Sequence, residues 1–346
     1  MTGTPVNSLR RSEVTLSTVS AFLCAAILSF QALASAETLT IYSTHKQRSV
    51  QNLLNKFLAE NKGVEIAYFS DVNWELVKKL EAEKATSKGD IYFTKDLVYL
   101  NETAAKDLLI PFTSAEVAKN IPAYMIDKNN LWTGLGLRAR TMVYNPSSLN
   151  PAELSTYEDL GDSKWTARMC LRTSLSSYSV AYVASMIMHL GYDRALQAVK
   201  GWVANTVIDP TIGDELLLAN IDAGVCEVGV MNTHYLAEQQ MKKTINAKPF
   251  FADQATTGAH MNGSGIGILK TTQNKALATK FIEFMTRKDV QEQWGREQME
   301  YPANVEAEIP ASLAAFGNFK KDETPWSDFA PYLEQARQLF KDADYQ

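Results

Sequence analysis

Residues 39–68, LTIYSTHKQRSVQNLLNKFLAENKGVEIAY, decide the fold. Leu39-Thr40-Ile41-Tyr42-Ser43 is a short β-prone run. From Val50 to Glu60, the residues Val50, Leu53, Leu54, Phe57 and Leu58 recur at helical spacing. Gly63 closes that helix, and Val64 to Tyr68 reads as the next strand. The alternation continues downstream, with a helix over Trp74 to Lys84, a strand over Asp90 to Phe93 and a helix over 102–110. Strand alternating with helix predicts a parallel sheet covered by helices, an α/β fold.

A second α/β set follows the strand-like Arg138 to Tyr144, which ends at the turn signal Asn145-Pro146. Met169 to Leu171 reads as a strand, and Tyr178 to Leu190 as a helix with Val183, Ile187 and Leu190 on one face. Helices are expected over Asp193 to Val203 and Asp214 to Asp222, with a strand over Glu227 to Met231. The glycine-rich run Gly258 to Ile268 allows a bend or a close backbone approach between lobes. Asn274 to Trp294 reads as one amphipathic helix, and Trp326 to Phe340 as another.

Upstream, the first 36 residues read as an export signal. Arg10 and Arg11 precede the apolar run Ala21 to Phe30, and Ala34-Ser35-Ala36 supplies small residues for cleavage after Ala36. A membrane span needs about 20 apolar residues, more than this run offers. The whole chain has 34 basic and 39 acidic residues, and loss of the leader leaves 32 and 38. That mildly acidic balance argues against nucleic acid as a partner. About 310 mature residues suit two domains of ordinary size. Cys24 leaves with the leader, so Cys170 and Cys226 remain. Two cysteines in an oxidising compartment can pair, but their separation in space is not a property of the sequence.

Enzyme motifs are scarce: there is no phosphate-binding glycine loop, CxxC pair, HExxH or nucleophile elbow. Of the four histidines, His189 late in an apolar helix reads as structural. Two places stand out. In Cys170-Leu171-Arg172-Thr173-Ser174-Leu175-Ser176-Ser177-Tyr178, a strand gives way to hydroxyl residues that open a helix. A helix start of this kind directs unpaired N–H groups and a positive dipole end at an anion, with Arg172, Ser174 and Ser176 as candidate partners. The same serines are equally suited simply to cap a helix. In Val230-Met231-Asn232-Thr233-His234-Tyr235, polar residues begin where a strand ends, the position at which open α/β sheets hold ligands. Imidazole and phenolate both bind metals, and phenolate suits the hard Fe(III) ion. Alternatively, the segment is a helix start with a packed tyrosine.

Taken together, these segments resemble the ferric-iron-binding periplasmic proteins, the receptors of iron(III) ABC importers. The likeness runs through Ile41-Tyr42-Ser43, Lys119 to Pro122, Arg138-Ala139-Arg140, Val143-Tyr144-Asn145 and Glu153 to Leu160 with Lys164-Trp165. It continues through Cys170 to Ser174, Asn232 to Tyr235, Gly258 to Gly265, and Glu300-Tyr301-Pro302 with Asn304. The resemblance implies a two-lobed type II periplasmic-binding fold with an interlobe cleft. Its first lobe would be 37–137 plus 262–305, and its second 138–261 plus 306–346 with the C-terminal helices. It also implies a periplasmic monomer, not an enzyme, that binds Fe(3+) with a synergistic anion such as carbonate and serves an ABC permease of the inner membrane. Such proteins commonly use two consecutive tyrosines where this chain has His234 and Tyr235, and a tyrosine at the place of Tyr178. Many also carry His-Tyr, or His alone, where Lys46 and Gln47 stand here. His45 falls one residue early, and in an extended segment one residue reverses a side chain's direction. The implied metal ligands are therefore Tyr178, Tyr235 and His234, with His45 a weaker fourth. Two other readings stay open: a receptor for a phosphorylated or carboxylated small molecule and, remotely, a secreted hydrolase, for which no nucleophile–base pair can be named.

Overall fold

In the first α/β unit, β1 (Glu37–Ser43) leads into α1 (Gln47–Glu60) and returns as β2 (Val64–Ser70), parallel to β1 over its whole length. The structure is a computed structural model that describes residues 36–84 and 86–346. The expected leader, apart from Ala36, and Cys24 lie outside the described residues. Helix α1 is driven onto the sheet by the stripe that its sequence shows: Val50, Leu53, Leu54 and Phe57 are buried. The chain continues through α2 (Asn73–Ala82), β3 (Ile91–Thr94), α3 (Leu97–Ala105), β4 (Leu109–Ile110), α4 (Ala115–Asn120), β5 (Trp132–Gly134) and β6 (Gly136–Tyr144). Next come β7 (Met169–Cys170), α5 (Ser177–Leu190), α6 (Tyr192–Ala204), α7 (Asp214–Asp222), β8 (Val228–Asn232), α8 (Thr233–Lys242) and β9 (Lys248–Phe250). The remainder is β10 (Met261–Asn262), β11 (Gly265–Leu269), α9 (Lys275–Thr286), α10 (Lys288–Gln298), β12 (Tyr301–Pro302), α11 (Ala311–Ala314) and α12 (Leu333–Asp342).

Two six-stranded sheets result. One has the order β2-β1-β3-β11-β4, with β5 also on β11; the other has β10-β6-β8-β7, with β9 and β12 also on β6. The glycine-rich run connects them. Met261 and Asn262 pair with Ala139 and Arg138 in the second sheet, and Gly265 to Ile268 then pair with β3 in the first. Gly263 permits this passage, because a Cβ there would meet the Gly136 carbonyl oxygen at 1.8 Å.

Four expectations need correction. The sheets are mixed rather than parallel, because β11 runs antiparallel to β3, β4 and β5, and β6 antiparallel to β8. The helix expected over 102–110 begins earlier, at Leu97, where the Asp96 carboxylate accepts from the Val98 N–H. It ends at Ala105, and Leu109–Ile110 joins β11 as an edge strand. The single helix expected over Asn274–Trp294 is two, broken where Arg287 turns extended at ψ 145°. Finally, Trp326–Tyr332 is 3₁₀ rather than α-helical, and α-helix resumes as α12 only beyond Pro331, a residue without an N–H to donate.

Candidate metal centre

Strands β7 and β8 run parallel and side by side, Met169 opposite Val228 and Cys170 opposite Gly229. Their carboxyl ends therefore open at the same place, and the two segments singled out in the sequence become neighbours. Cys170 and Cys226 form a disulfide with Cα atoms 5.8 Å apart, fixing the two strands to each other. Tyr178 occupies the first turn of α5, and His234 with Tyr235 the first turn of α8. The His234 and Tyr235 rings lie 4.0 Å apart, centre to centre.

Arginine organises this cluster. Arg138, 2% exposed, lies 5.1 Å over the Tyr178 ring and donates to its hydroxyl at 3.4 Å. Arg172 approaches the same ring at 5.5 Å. Asp214, fully buried at the start of α7, accepts from Arg140 at 3.0 Å, from Arg172 at 2.9 Å and from the Asn232 N–H at 3.1 Å. One carboxylate thus fixes β6, the loop after β7 and the end of β8.

These neighbours set the protonation states. Burial raises the Tyr178 phenol above its ordinary value, outweighing Arg138 and Arg172, whose charges favour the phenolate. Burial also raises Tyr235, helped by Asp214 and opposed by Arg172 and Arg138. His234 is pushed well below its ordinary value by burial, with Arg138, Lys95, Arg140 and Arg172 adding to the effect. Its imidazole is therefore neutral at pH 7, and its buried Nδ1 has no hydrogen-bond partner. Two phenols and a neutral imidazole are donors of a kind that could hold a strongly charged cation able to displace the phenolic protons. Among the described residues, no three His, Cys, Asp or Glu side chains are grouped to hold a metal.

The opposite wall belongs to the first sheet. A cavity of about 480 Å³ is bounded by Thr44, Lys46, Ser70, Asp71, Val72 and Lys95, with Tyr178 facing them from the second. Arg138 donates to the Lys95 carbonyl, and the Ser177 hydroxyl donates to Asp96 at 2.6 Å, so hydrogen bonds join the two walls. His45 is 1% exposed, stacked 4.5 Å from Phe93 and edge-on to Trp294 at 5.1 Å. Neither of its ring nitrogens has a well-formed hydrogen bond, and burial beside Lys95 and Arg138 holds its pKa far down. Ser176 stands at the N-cap of α5 without using its hydroxyl as a cap. The Ser174 N–H is taken by the Gln346 carbonyl at 3.0 Å. Arg138, Lys95 and Asp214 were not among the residues expected from sequence. The signal for Arg138 was present as two arginines inside an otherwise apolar strand segment, whereas Lys95 and Asp214 carry no local mark.

The wider comparisons agree with this architecture. The sequence profile of the family described as bacterial extracellular solute-binding protein matches residues 52–324. The chain is 31% identical to iron uptake protein A1 of Synechocystis over 316 residues, covering 89% of this chain and 88% of that protein. A Trichodesmium protein (IdiA, FutA), solved in complex with iron and citrate ligands, superposes with a TM-score of 0.85 at 29% identity, over 89% of this chain and all (100%) of that one. The ferric binding protein from Campylobacter jejuni superposes with a TM-score of 0.83 at 28% identity, over 89% and 100%. With its two mixed sheets, its cleft and a profile match across most of its length, the chain belongs to the bacterial extracellular solute-binding protein family.

Proposed function

We propose that this protein is a periplasmic receptor that captures ferric iron in the cleft and delivers it to an ABC importer of the inner membrane. The observation that carries the proposal is the convergence of Tyr178, Tyr235 and a neutral His234 at the adjoining ends of β7 and β8. Tyr178 and Tyr235 would bind as phenolates and His234 through an imidazole lone pair. His45, packed against Phe93 and Trp294, stays outside this ligand set. Iron-binding relatives of similar length and fold support the choice of cargo.

Protonated lysines cannot ligate iron but do bind carboxylates. Lys46 and Lys95 on the first wall, with the start of α5 and the Ser176 hydroxyl on the second, would hold a synergistic anion such as carbonate that completes the coordination. Arg172, committed to Asp214, contributes through its charge, and Ser174 through its side chain alone. Two lobes, 37–137 with 262–305 and 138–261 with 306–346, would close over the cargo, and the permease would read the closed, monomeric state. The same lysines favour a second reading, a receptor for a phosphorylated or carboxylated small molecule. Thermal-shift titration with ferric citrate, citrate alone, glucose 6-phosphate and a phosphonate separates the two. Ferric citrate should stabilise the protein well beyond citrate alone. Stabilisation by an organic phosphate without iron, and none by ferric citrate, would overturn the iron assignment.

A further inference from the structure

The face of α5 that begins with Tyr178 in the cleft continues as Tyr182, Ser185 with Met186, and His189, one helical turn apart. These residues border a separate cavity of about 280 Å³, closed by Tyr157, the segment around Asp253 and His260. Its wall is aromatic: Tyr182 stacks on Trp202 at 5.2 Å and meets Tyr157 edge-on at 4.7 Å.

Its polar groups are unevenly satisfied. The Tyr157 hydroxyl donates to the Arg140 carbonyl and accepts from the His260 N–H. Arg194 is neutralised by Glu158 at 2.7 Å, and His189 is bonded to Asp322 at 2.9 Å. In contrast, the Tyr182 hydroxyl and both His260 ring nitrogens have no partner, although these residues are only 4% and 2% exposed. Asp253, half-buried, makes no ion pair among the described residues, and burial raises its carboxyl to about 6. Leaving a buried polar group unpaired costs about 1–3 kcal/mol, so three orphan atoms around one void, which the half-buried Asp253 also lines, suit a bound molecule.

We propose that this cavity is a second ligand site, distinct from the cleft, and that it takes a small organic ammonium ion. The ammonium group would sit on Asp253, the apolar body against Tyr182 and Met186, and a hydroxyl or similar substituent would bond the Tyr182 hydroxyl and His260. Neutral imidazole offers one donor and one acceptor for that purpose. Burial holds His260 neutral, its pKa lowered to about 4. The chemistry differs from that of the cleft, which is lined by Lys46 and Lys95 together with Asp71. An aromatic wall beside a carboxylate is also the usual environment for binding an organic cation.

The test is isothermal titration of the mature protein with tyramine and with tyrosol, the alcohol that replaces its ammonium group. Tyramine should bind saturably at one site, about tenfold or more tighter than tyrosol, the worth of one charge-assisted contact. Asp253→Asn should remove that preference, while Tyr178→Phe should leave it unchanged. Should Asp253→Asn fail to fold, crystals of the unaltered protein soaked in tyramine decide, with density beside Asp253 expected. Absence of saturable tyramine binding, equal affinity for tyrosol, full affinity in Asp253→Asn, or an empty cavity in the soaked crystal would each overturn the proposal.

Discussion

Asp214→Asn is the substitution from which most can be learned. The carboxylate is fully buried and is the shared partner of Arg140, 3% exposed, and Arg172, 14% exposed. Asparagine keeps the shape and one acceptor oxygen but leaves both guanidinium groups uncompensated in a poorly solvated site. Breaking a buried pair by removing one member costs about 3–5 kcal/mol. For a chain of this size, at roughly 2 °C per kcal/mol, the melting temperature should fall by about 6–10 °C. Circular dichroism during heating reads that number directly. The double variant Asp214→Asn/Arg140→Met should recover part of the loss, with a coupling of about 0.5–3 kcal/mol, because one of the unpaired cations has then gone. The same change removes a charge that raises the Tyr235 phenol, so tyrosine titration followed in the ultraviolet should move to lower pH even as stability falls. A melting temperature unchanged within a degree, or a double variant no better than the single one, would refute the idea that Asp214 anchors the site through charge.

Three further outcomes are expected. Cys170→Ser/Cys226→Ser opens a disulfide that spans 56 residues, so chemical denaturation should show a loss of about 4 kcal/mol, reproduced by reductant on the unaltered protein. Ferric binding should release about two protons per ion at neutral pH, because Tyr178 and Tyr235 are both protonated in the free protein and His234 is already neutral. Affinity should therefore fall as pH falls, and pH-stat titration checks the stoichiometry. His45→Phe should keep ferric binding and change stability by less than about 1.5 kcal/mol, since the ring sits in an aromatic slot without well-formed hydrogen bonds, and denaturant titration measures it.

Much of the fold was legible because its signals are local. The stripe Val50, Leu53, Leu54 and Phe57 specified α1, and Asp214–Asp222 is helical over the span its sequence suggests. What was missed depended on partners distant in sequence. Leu109 and Ile110 look helical beside Leu108 but are taken by β11, some 160 residues away, through pairs such as Leu109 with Leu269. Periodicity across Arg287 survives the break between α9 and α10, because Phe281, Met285, Val290 and Trp294 are all buried on either side of it. At the candidate site, His234 and Tyr235 stand out because they follow a strand end, whereas Tyr178 is indicated only through the family resemblance. Lys95 and Asp214 do not stand out, since a lysine after a strand and an aspartate opening a helix are ordinary until the fold brings them to Tyr178 and Arg172.

Capture of Fe(III) by two phenol oxygens and an imidazole is tested most directly by visible absorption of the purified protein after addition of ferric citrate. The unaltered protein should turn orange-red through phenolate-to-iron charge transfer, and Tyr178→Phe and Tyr235→Phe should each weaken or abolish the band while remaining folded. A colourless complex, or a band that survives both substitutions undiminished, would contradict it.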